Sequence, residues 1–248
     1  MYNNKYVSAV ICAAGMSSRM KSDKNKQLLE FGGMTVIERT VNAFMNDDVC
    51  DEIIIVYPEI YKAEFCELFE KRAYEKPVKL TAGGAERQIS VKNGVDAADE
   101  KSQLIAVHDG ARPFVTPELI HNVVADGCAY GCAALAVPVK DTIKRVRNGV
   151  VVDTPPRDEL AAVQTPQVFY KKTYLEAYEY AERSNIICTD DCRLMELYGK
   201  EVHITMGSYN NIKITTPEDI AAANSIVEAY NLNFPHQYSF KGDSSRGR

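Results

Sequence analysis

Residues 7–27 read VSAVICAAGMSSRMKSDKNKQ, an apolar run that turns abruptly small, polar and basic after Cys12. From Val7 to Ala13 the hydrophobic residues are continuous and rich in β-branched types, with no strict alternation. That pattern predicts a strand covered on both faces, as in a sheet sandwiched between two layers of helices. The segment after this strand is either an ordinary connection to the next element or a loop that cradles a polyphosphate. Ala13, Ala14 and Gly15 let a ligand approach the backbone closely, and the N–H groups after them can face an anion. Arg19 and Lys26 stand apart along the same loop. With one glycine and no Gly-Lys-Ser/Thr sequence, the segment matches neither a dinucleotide fingerprint nor a P-loop. It therefore points to the fold and leaves the ligand open.

Outward from this strand, Ile53–Tyr57, Leu104–His108 and Ala133–Val139 repeat the short apolar pattern. Helical spacing separates them. Ile37, Val41, Phe44 and Met45 follow i, i+4, i+7, i+8, as do Tyr61, Phe65, Leu68 and Phe69. Thr116 before Pro117 and Thr216 before Pro217, the latter with Glu218 and Asp219 behind it, read as capped helix starts. Alternating strands and helices predict an α/β, Rossmann-like, mostly parallel sheet with helices on both faces. Residues 140–165, KDTIKRVRNGVVVDTPPRDELAAVQT, break the alternation: a turn at Asn148-Gly149 joins two β-prone segments of mixed charge. This hairpin brings little core of its own, so it is expected to project as an arm and pack on a second copy of the chain, giving a homodimer. The expected organisation is one domain over 1–230 with the arm at 140–165, followed by a polar, glycine-rich mobile tail over 231–248.

The chain has 248 residues, of which 46% are hydrophobic, enough for a sizeable core without disulfide or metal staples. A formal net charge of −5 argues against sequence-independent nucleic-acid binding, so any anionic substrate must be met by locally placed cations. No signal peptide and no membrane-length apolar run is evident. The seven cysteines are odd in number and scattered, which suits reduced thiols in the cytoplasm. The pairs Cys128/Cys132 and Cys188/Cys192 could make a four-thiolate metal site, but zinc sites usually have tighter spacing, and small core residues are the simpler reading.

In an open α/β sheet, ligands lie beyond the carboxyl ends of the strands, so residues just after each strand carry the functional weight. In AGGAERQISVKNG (82–94), Gly83-Gly84 precede a helix expected to start near Arg87; the pair is a tight turn or a place where a flat base can approach. In VHDGARP (107–113), Asp109 and Arg112 either form a mutual salt bridge or leave Asp109 to hold Mg²⁺ beside substrate phosphates. In TMGSYNNIKITTPEDI (205–220), Lys213 sits inside an apolar segment read as a strand, where a lysine usually extends to the rim. His108 reads as a satisfied buried histidine, and His121, His203 and His236 have no partner pattern. Neither a nucleophile elbow nor a Cys/His arrangement is present. Several cations, one carboxylate and no protein nucleophile suit a reaction in which the substrate supplies the nucleophile, as in nucleotidyl transfer.

Taken together, AAGMSSRM with Lys26, GGAERQISVKNG, VHDGARP, PVKDTIKR, QTPQVF, TDD and NIKITTPED, in that order from Val7 to Tyr230, resemble the 2-C-methyl-D-erythritol 4-phosphate cytidylyltransferases of the non-mevalonate isoprenoid pathway. The resemblance implies that CMP is transferred from CTP to a polyol phosphate with release of pyrophosphate, with Mg²⁺ as cofactor. It implies that Arg19 and Lys26 neutralise the triphosphate, and that Ala13, Ala14, Gly15, Gly84, Arg87 and Ser90 surround the nucleotide. Asp109 would hold the metal with Arg112 beside it. Lys213 and Thr189 would meet the substrate phosphate, joined by Thr142 and Arg157 from the neighbouring subunit's arm. Cys12 stands where the family often has proline, Ala85 where an acidic residue is common, and Gly110 where alanine is usual. Ala85 removes any acidic side-chain contact to the base or ribose at that point. A ribitol-5-phosphate cytidylyltransferase, a non-catalytic nucleotide-binding regulator, and a sugar nucleotidyltransferase using UTP or GTP are the competing readings.

Overall fold

The computed structural model describes residues 1–15, 25–70 and 73–233. Arg19, Ser17 and Ser18 therefore lie outside the described residues, as do His236 and the expected tail from residue 234 on. In chain order the elements are β1 (Tyr6–Cys12), β2 (Glu30–Phe31), β3 (Met34–Thr35), α1 (Val36–Met45), β4 (Glu52–Tyr57), α2 (Lys62–Phe69), β5 (Val78–Ala82), α3 (Arg87–Ala97), β6 (Ser102–Asp109), α4 (Pro117–Tyr130) and β7 (Cys132–Pro138). They continue with β8 (Arg145–Arg147), β9 (Val150–Asp153), β10 (Ala161–Tyr170), α5 (Lys171–Arg183), α6 (Asp191–Leu197), β11 (His203–Met206) and α7 (Pro217–Asn233).

Seven strands form one sheet in the order β11-β7-β10-β6-β1-β4-β5. The register between β1 and β4, β1 and β6, β4 and β5, and β7 and β11 is parallel; β10 alone runs antiparallel to both neighbours. β1 shows why a continuous apolar pattern is informative. Its Val7, Ala9 and Ile11 pack with Phe44 of α1, Phe65 of α2 and Ile120 of α4, whereas Val10 packs with Val91 and Val95 of α3 and the core of α5 and α6. Both faces are covered, so neither alternate position can be polar without a partner. A third, smaller core joins α7 to the β2-β3 hairpin through Phe31, Val36, Phe114, Ile214, Ala223 and Val227.

The Thr116 cap is as the sequence implies. Thr116 accepts the N–H of Leu119 at 3.3 Å, with Pro117 in the first turn of α4. At α7, the Asp219 carboxylate accepts the N–H groups of Thr215 and Thr216 at 2.7 and 2.8 Å. That helix runs on to Asn233, past the boundary expected at 230.

Residues 139–160 contain no crossover helix. Parallel returns are usually made through a crossover helix, and without one β10 comes back antiparallel to its neighbours. The β8-β9 hairpin projects from this excursion, with Asn148 and Gly149 at φ 50° and 79°, the left-handed pair that a tight two-residue hairpin turn demands. Ile143, Val146, Val150, Val151 and Val152 all lie exposed on it. β10 itself is not evident from the sequence, because Gln164, Thr165, Pro166 and Gln167 break its apolar pattern. There the ladder to β7 is interrupted between Val163 and Gln167, the place in a sheet where proline is tolerated. No described helix is long and apolar enough to cross a membrane.

Candidate active site

At the carboxyl ends of β1, β4, β5 and β6 lies a cavity of about 500 Å³, a size that suits a nucleotide-sized ligand. Among the described residues it is lined by Ala14, Gly15, Lys26, Gly84, Arg87, Ser90, Asp109 and Lys213 of the predicted set. Each reaches it for a local reason. The ladder between β1 and β4 continues one residue past β1, with Ala13 N–H donating to the Val56 carbonyl at 2.8 Å, so the chain is held extended until Ala14 and Gly15 emerge at the rim. Ala13 is fully buried and its N–H is used in that bond, so it supports the loop from beneath and does not line the cavity, contrary to expectation.

Lys26 opens a single turn of 3₁₀-helix capped by the Asn25 side chain, which accepts Gln27 N–H at 2.9 Å. On the far side, Gly83 packs so closely on Ala14 and Ser90 that no β-carbon would fit. The Ser90 hydroxyl accepts the Gly84 N–H at 3.0 Å and donates to the Glu86 carbonyl at 2.9 Å. Ser90 thus shapes the glycine turn, which the spacing of two glycines and a serine six residues on could have suggested.

Asp109, the last residue of β6, is the electrostatic centre. Lys213 Nζ lies 2.8 Å from Oδ2, Arg112 Nε 3.6 Å from Oδ2, and Arg87 Nε 3.7 Å from Oδ1. Burial opposes ionisation, but Lys213, then Arg87 and Arg112, outweigh it and hold the carboxyl well below the usual range. Lys213 is not in a strand: β11 ends at Met206, and residues 212–215 are irregular backbone anchored by Ile214 N–H to the Ala111 carbonyl at 2.8 Å. The irregular segment turns Lys213 inward to Asp109.

Behind the cavity, Arg112 donates through Nη1 to the Asn211 carbonyl at 2.8 Å, so it braces Asp109 without lining the cavity. His108 is wholly buried and bridges the same corner. Its Nε2 lies 3.1 Å from the Arg112 carbonyl, which can only accept, so Nε2 carries the proton. Nδ1 then accepts from the Thr165 hydroxyl at 3.0 Å, and Thr165 in turn accepts the Asp109 N–H at 3.0 Å. Burial pushes the His108 pKa down to about 4, so the ring is neutral at pH 7.

Arg87 is the first residue of α3, as predicted, but its strongest partner was not predicted: Nη1 donates to Asp191 Oδ2 at 2.6 Å. Thr189 is exposed just before the two aspartates of that loop and does not line the cavity. Thr142 and Arg157 lie on the exposed arm, away from the cavity of their own chain, with Arg157 Nη1 donating to the Lys140 carbonyl at 3.0 Å. The cysteines form no disulfide, and burial raises the thiols of Cys132 and, in the cavity wall, Cys12 to about 12. At neutral pH they are protonated, weak nucleophiles.

The family model for "IspD: 2-C-methyl-D-erythritol 4-phosphate cytidylyltransferase" matches residues 7–229. A 2-C-methyl-D-erythritol 4-phosphate cytidylyltransferase of Bacillus thuringiensis (strain Al Hakam) is 45% identical over 218 residues, covering 88% of this chain and 96% of its own. Among solved structures, 4-diphosphocytidyl-2C-methyl-D-erythritol synthase from Anaerococcus prevotii DSM 20548 superposes with a TM-score of 0.81 at 33% identity, over 90% of this chain and 99% of that one. The cytidylyltransferase from Thermus thermophilus superposes with a TM-score of 0.73 at 30% identity, over the same shares. A cavity ringed by Lys26, Arg87, Asp109 and Lys213 at the carboxyl edge of the sheet, and likeness over nearly the whole described chain, lead to one conclusion: this chain belongs to the 2-C-methyl-D-erythritol 4-phosphate cytidylyltransferase family.

Proposed function

We propose that this protein transfers CMP from CTP to 2-C-methyl-D-erythritol 4-phosphate, releasing pyrophosphate and forming 4-diphosphocytidyl-2-C-methyl-D-erythritol for isoprenoid precursor synthesis. The observation that carries the reading is the grouping of Lys213, Arg87 and Arg112 around Asp109 at one wall of the cavity. With Asp191 counted as the partner of Arg87, three cations meet two buried carboxylates, which leaves one positive charge for an anionic ligand. In the reaction a phosphate oxygen of the polyol attacks the α-phosphorus, the α–β P–O bond breaks, and pyrophosphate departs. The chain supplies position and charge. Lys26 and Arg19 would neutralise the triphosphate as negative charge redistributes, and Lys213 and Thr189 would hold the acceptor phosphate.

Mg²⁺ fits the donor set as a shared ligand. Asp109 is ionised and faces the cavity, and a single carboxylate suits a Mg²⁺ that draws its other ligands from phosphates and water. Among the described residues no group of three His, Cys, Asp or Glu could hold a metal by itself. When bound, the ion would neutralise phosphate charge. Lys213 stands 2.8 Å from Oδ2, whereas the nearest cation to Oδ1 is Arg87 Nε at 3.7 Å. The arm's exposed Val146, Val150, Val151 and Val152 support a homodimer in which Thr142 and Arg157 of a second copy complete the acceptor site. The unpaired cysteines support a cytoplasmic location.

Pyrophosphate release with CTP, UTP and GTP, each offered 2-C-methyl-D-erythritol 4-phosphate or ribitol 5-phosphate with and without Mg²⁺, tests the reading, with the product identified by mass. Preference for CTP and the methylerythritol phosphate is expected; faster turnover of ribitol 5-phosphate would overturn the acceptor. Lys26→Ala should lower turnover by at least ~10²-fold, and near-normal rates would leave the protein a nucleotide binder of another kind. An active monomer in sedimentation would remove the second copy from the site.

A further inference from the structure

We propose that Asp191 and Tyr174 are positioning residues that hold the Arg87 guanidinium in the nucleotide cavity. The inference rests on the nucleotide reading of that cavity and extends it to two residues that touch no ligand themselves. Asp191, from α6, is 2% exposed, and its Oδ2 accepts a hydrogen bond from Arg87 Nη1 at 2.6 Å. The other oxygen, Oδ1, accepts from the hydroxyl of Tyr174, a fully buried residue of α5, at 3.2 Å. The backbone that presents Asp191 is itself fixed. Asp190 caps α6 by accepting the Arg193 N–H at 3.0 Å and takes the Gln167 amide N–H of β10 at 3.1 Å, while Gln167 Oε1 accepts the Cys192 N–H at 3.1 Å. The two adjacent aspartates therefore divide the work: one ties the loop to the sheet, the other faces the arginine.

Stability alone is a poor reason to keep such a pair, since buried ion pairs are often replaceable by apolar packing without loss. Placement gives a better one. The Arg87 side chain keeps 30% of its surface exposed and lines the cavity, with Asp109 as its second neighbour at 3.7 Å. An arginine free to choose would swing onto Asp109 and compete with Lys213 for it. Asp191 holds Nη1 at hydrogen-bonding distance, so Nε stays back from Asp109 and the exposed edge of the guanidinium is presented in one orientation. Its rotamer entropy is thereby lost before any ligand arrives. Burial first, and then the Asp191 carboxylate, push the Tyr174 hydroxyl well above its ordinary value, so it stays a donor across the working pH range.

The test is a double-mutant cycle on CTP kinetics with Asp191→Asn, Arg87→Ala and the pair, together with Tyr174→Phe. Asp191→Asn should raise the KM for CTP by at least about 10-fold, the ratio worth one charge-assisted hydrogen bond, with kcat and the acceptor KM changed much less. In the Arg87→Ala background the same substitution should add less than about 2-fold, because the effect passes through the arginine. Tyr174→Phe should raise the CTP KM by about 2- to 3-fold, and it carries the cycle if Asp191→Asn does not fold. An unchanged CTP KM in the single variants, or equal losses with and without Arg87, would overturn the proposal. Titration of wild type and Asp191→Asn with CTP, UTP and GTP separates this result from failure of the cytidylyltransferase reading. A weaker grip in the variant on whichever nucleotide binds upholds the positioning role even where CTP does not turn over.

Discussion

Asp109 and Glu52 are both buried carboxylates on neighbouring parts of one sheet, and the protein treats them differently. Glu52 opens β4 at the amino edge, 1% exposed. It accepts the Ser8 hydroxyl and the Asp99 N–H, each at 2.6 Å, and pairs with Lys79 at 2.9 Å. One charge meets one countercharge, two neutral donors share Oε1, and Glu52 does not line the cavity beyond the carboxyl edge. Asp109 closes β6 at the carboxyl edge and is ringed by three cations beside a cavity of about 500 Å³. A carboxylate with more positive charge around it than it can neutralise, next to open space, marks a place where another anion is expected. A carboxylate balanced by one cation and two dipoles ties strands together. The charge count and the cavity, more than burial, distinguish a site from a strut.

That contrast can be broken by experiment. The largest effect is expected at the site: Lys213→Ala should lower kcat/KM by roughly 10²-fold with little change in the urea midpoint, because Arg87 and Arg112 still compensate Asp109. If the urea midpoint falls instead and catalysis survives, Asp109 is a strut as well. Next, Glu52→Gln should cost about 1–3 kcal/mol in urea unfolding, as the Asp99 N–H or the Lys79 ammonium loses its charged acceptor, with steady-state constants unchanged.

A smaller effect should appear with pH at the carboxyl edge. His108 has a folded pKa of about 4, against about 6.5 unfolded, so between those values the unfolded chain binds more protons. Its contribution is complete above about pH 6.5 and is lost as pH falls toward 4; from pH 7 to pH 5 this amounts to about 2 kcal/mol. Urea midpoints at both pH values should show that loss in wild type and a flatter response in His108→Gln; equal pH slopes would mean that the ring is not the titrating group. Smallest of all in catalysis, Lys79→Ala, the counterpart of Lys213→Ala, should leave kcat/KM within about 2-fold, since Lys79 pairs with Glu52 at the amino edge and does not line the cavity that Lys213 lines.

Several parts of this molecule are legible from residue order. The strands β1, β4, β6 and β7 lie within two residues of their apolar runs, and the Asn148-Gly149 hairpin and the two Thr-Pro helix starts fall where local chemistry puts them. These are short-range effects: side-chain burial on both faces, left-handed turn geometry and capping. β10 is not legible because Gln164, Thr165, Pro166 and Gln167 owe their burial to partners far away in sequence, such as Asn211 and Asp190. Lys213 reads as a strand residue because its neighbours are apolar, yet those neighbours serve the small core under α7. The doubled aspartate at 190–191 stands out in the sequence only as part of a motif; a cap uses one carboxylate, and the second needs a partner that the sequence does not name.

By itself, then, the sequence determined the α/β alternation, the projecting hairpin, the set of cations and the single carboxylate at a strand end, since each follows from residues a few positions apart. Tertiary structure decided which charges meet. Arg87 and Asp191 are 104 residues apart, and Lys213 reaches Asp109 from a similar distance along the chain. Only the order of strands in the sheet brings these groups within bonding range, because Coulomb and hydrogen-bond energies depend on separation in space and the sequence records only separation along the chain.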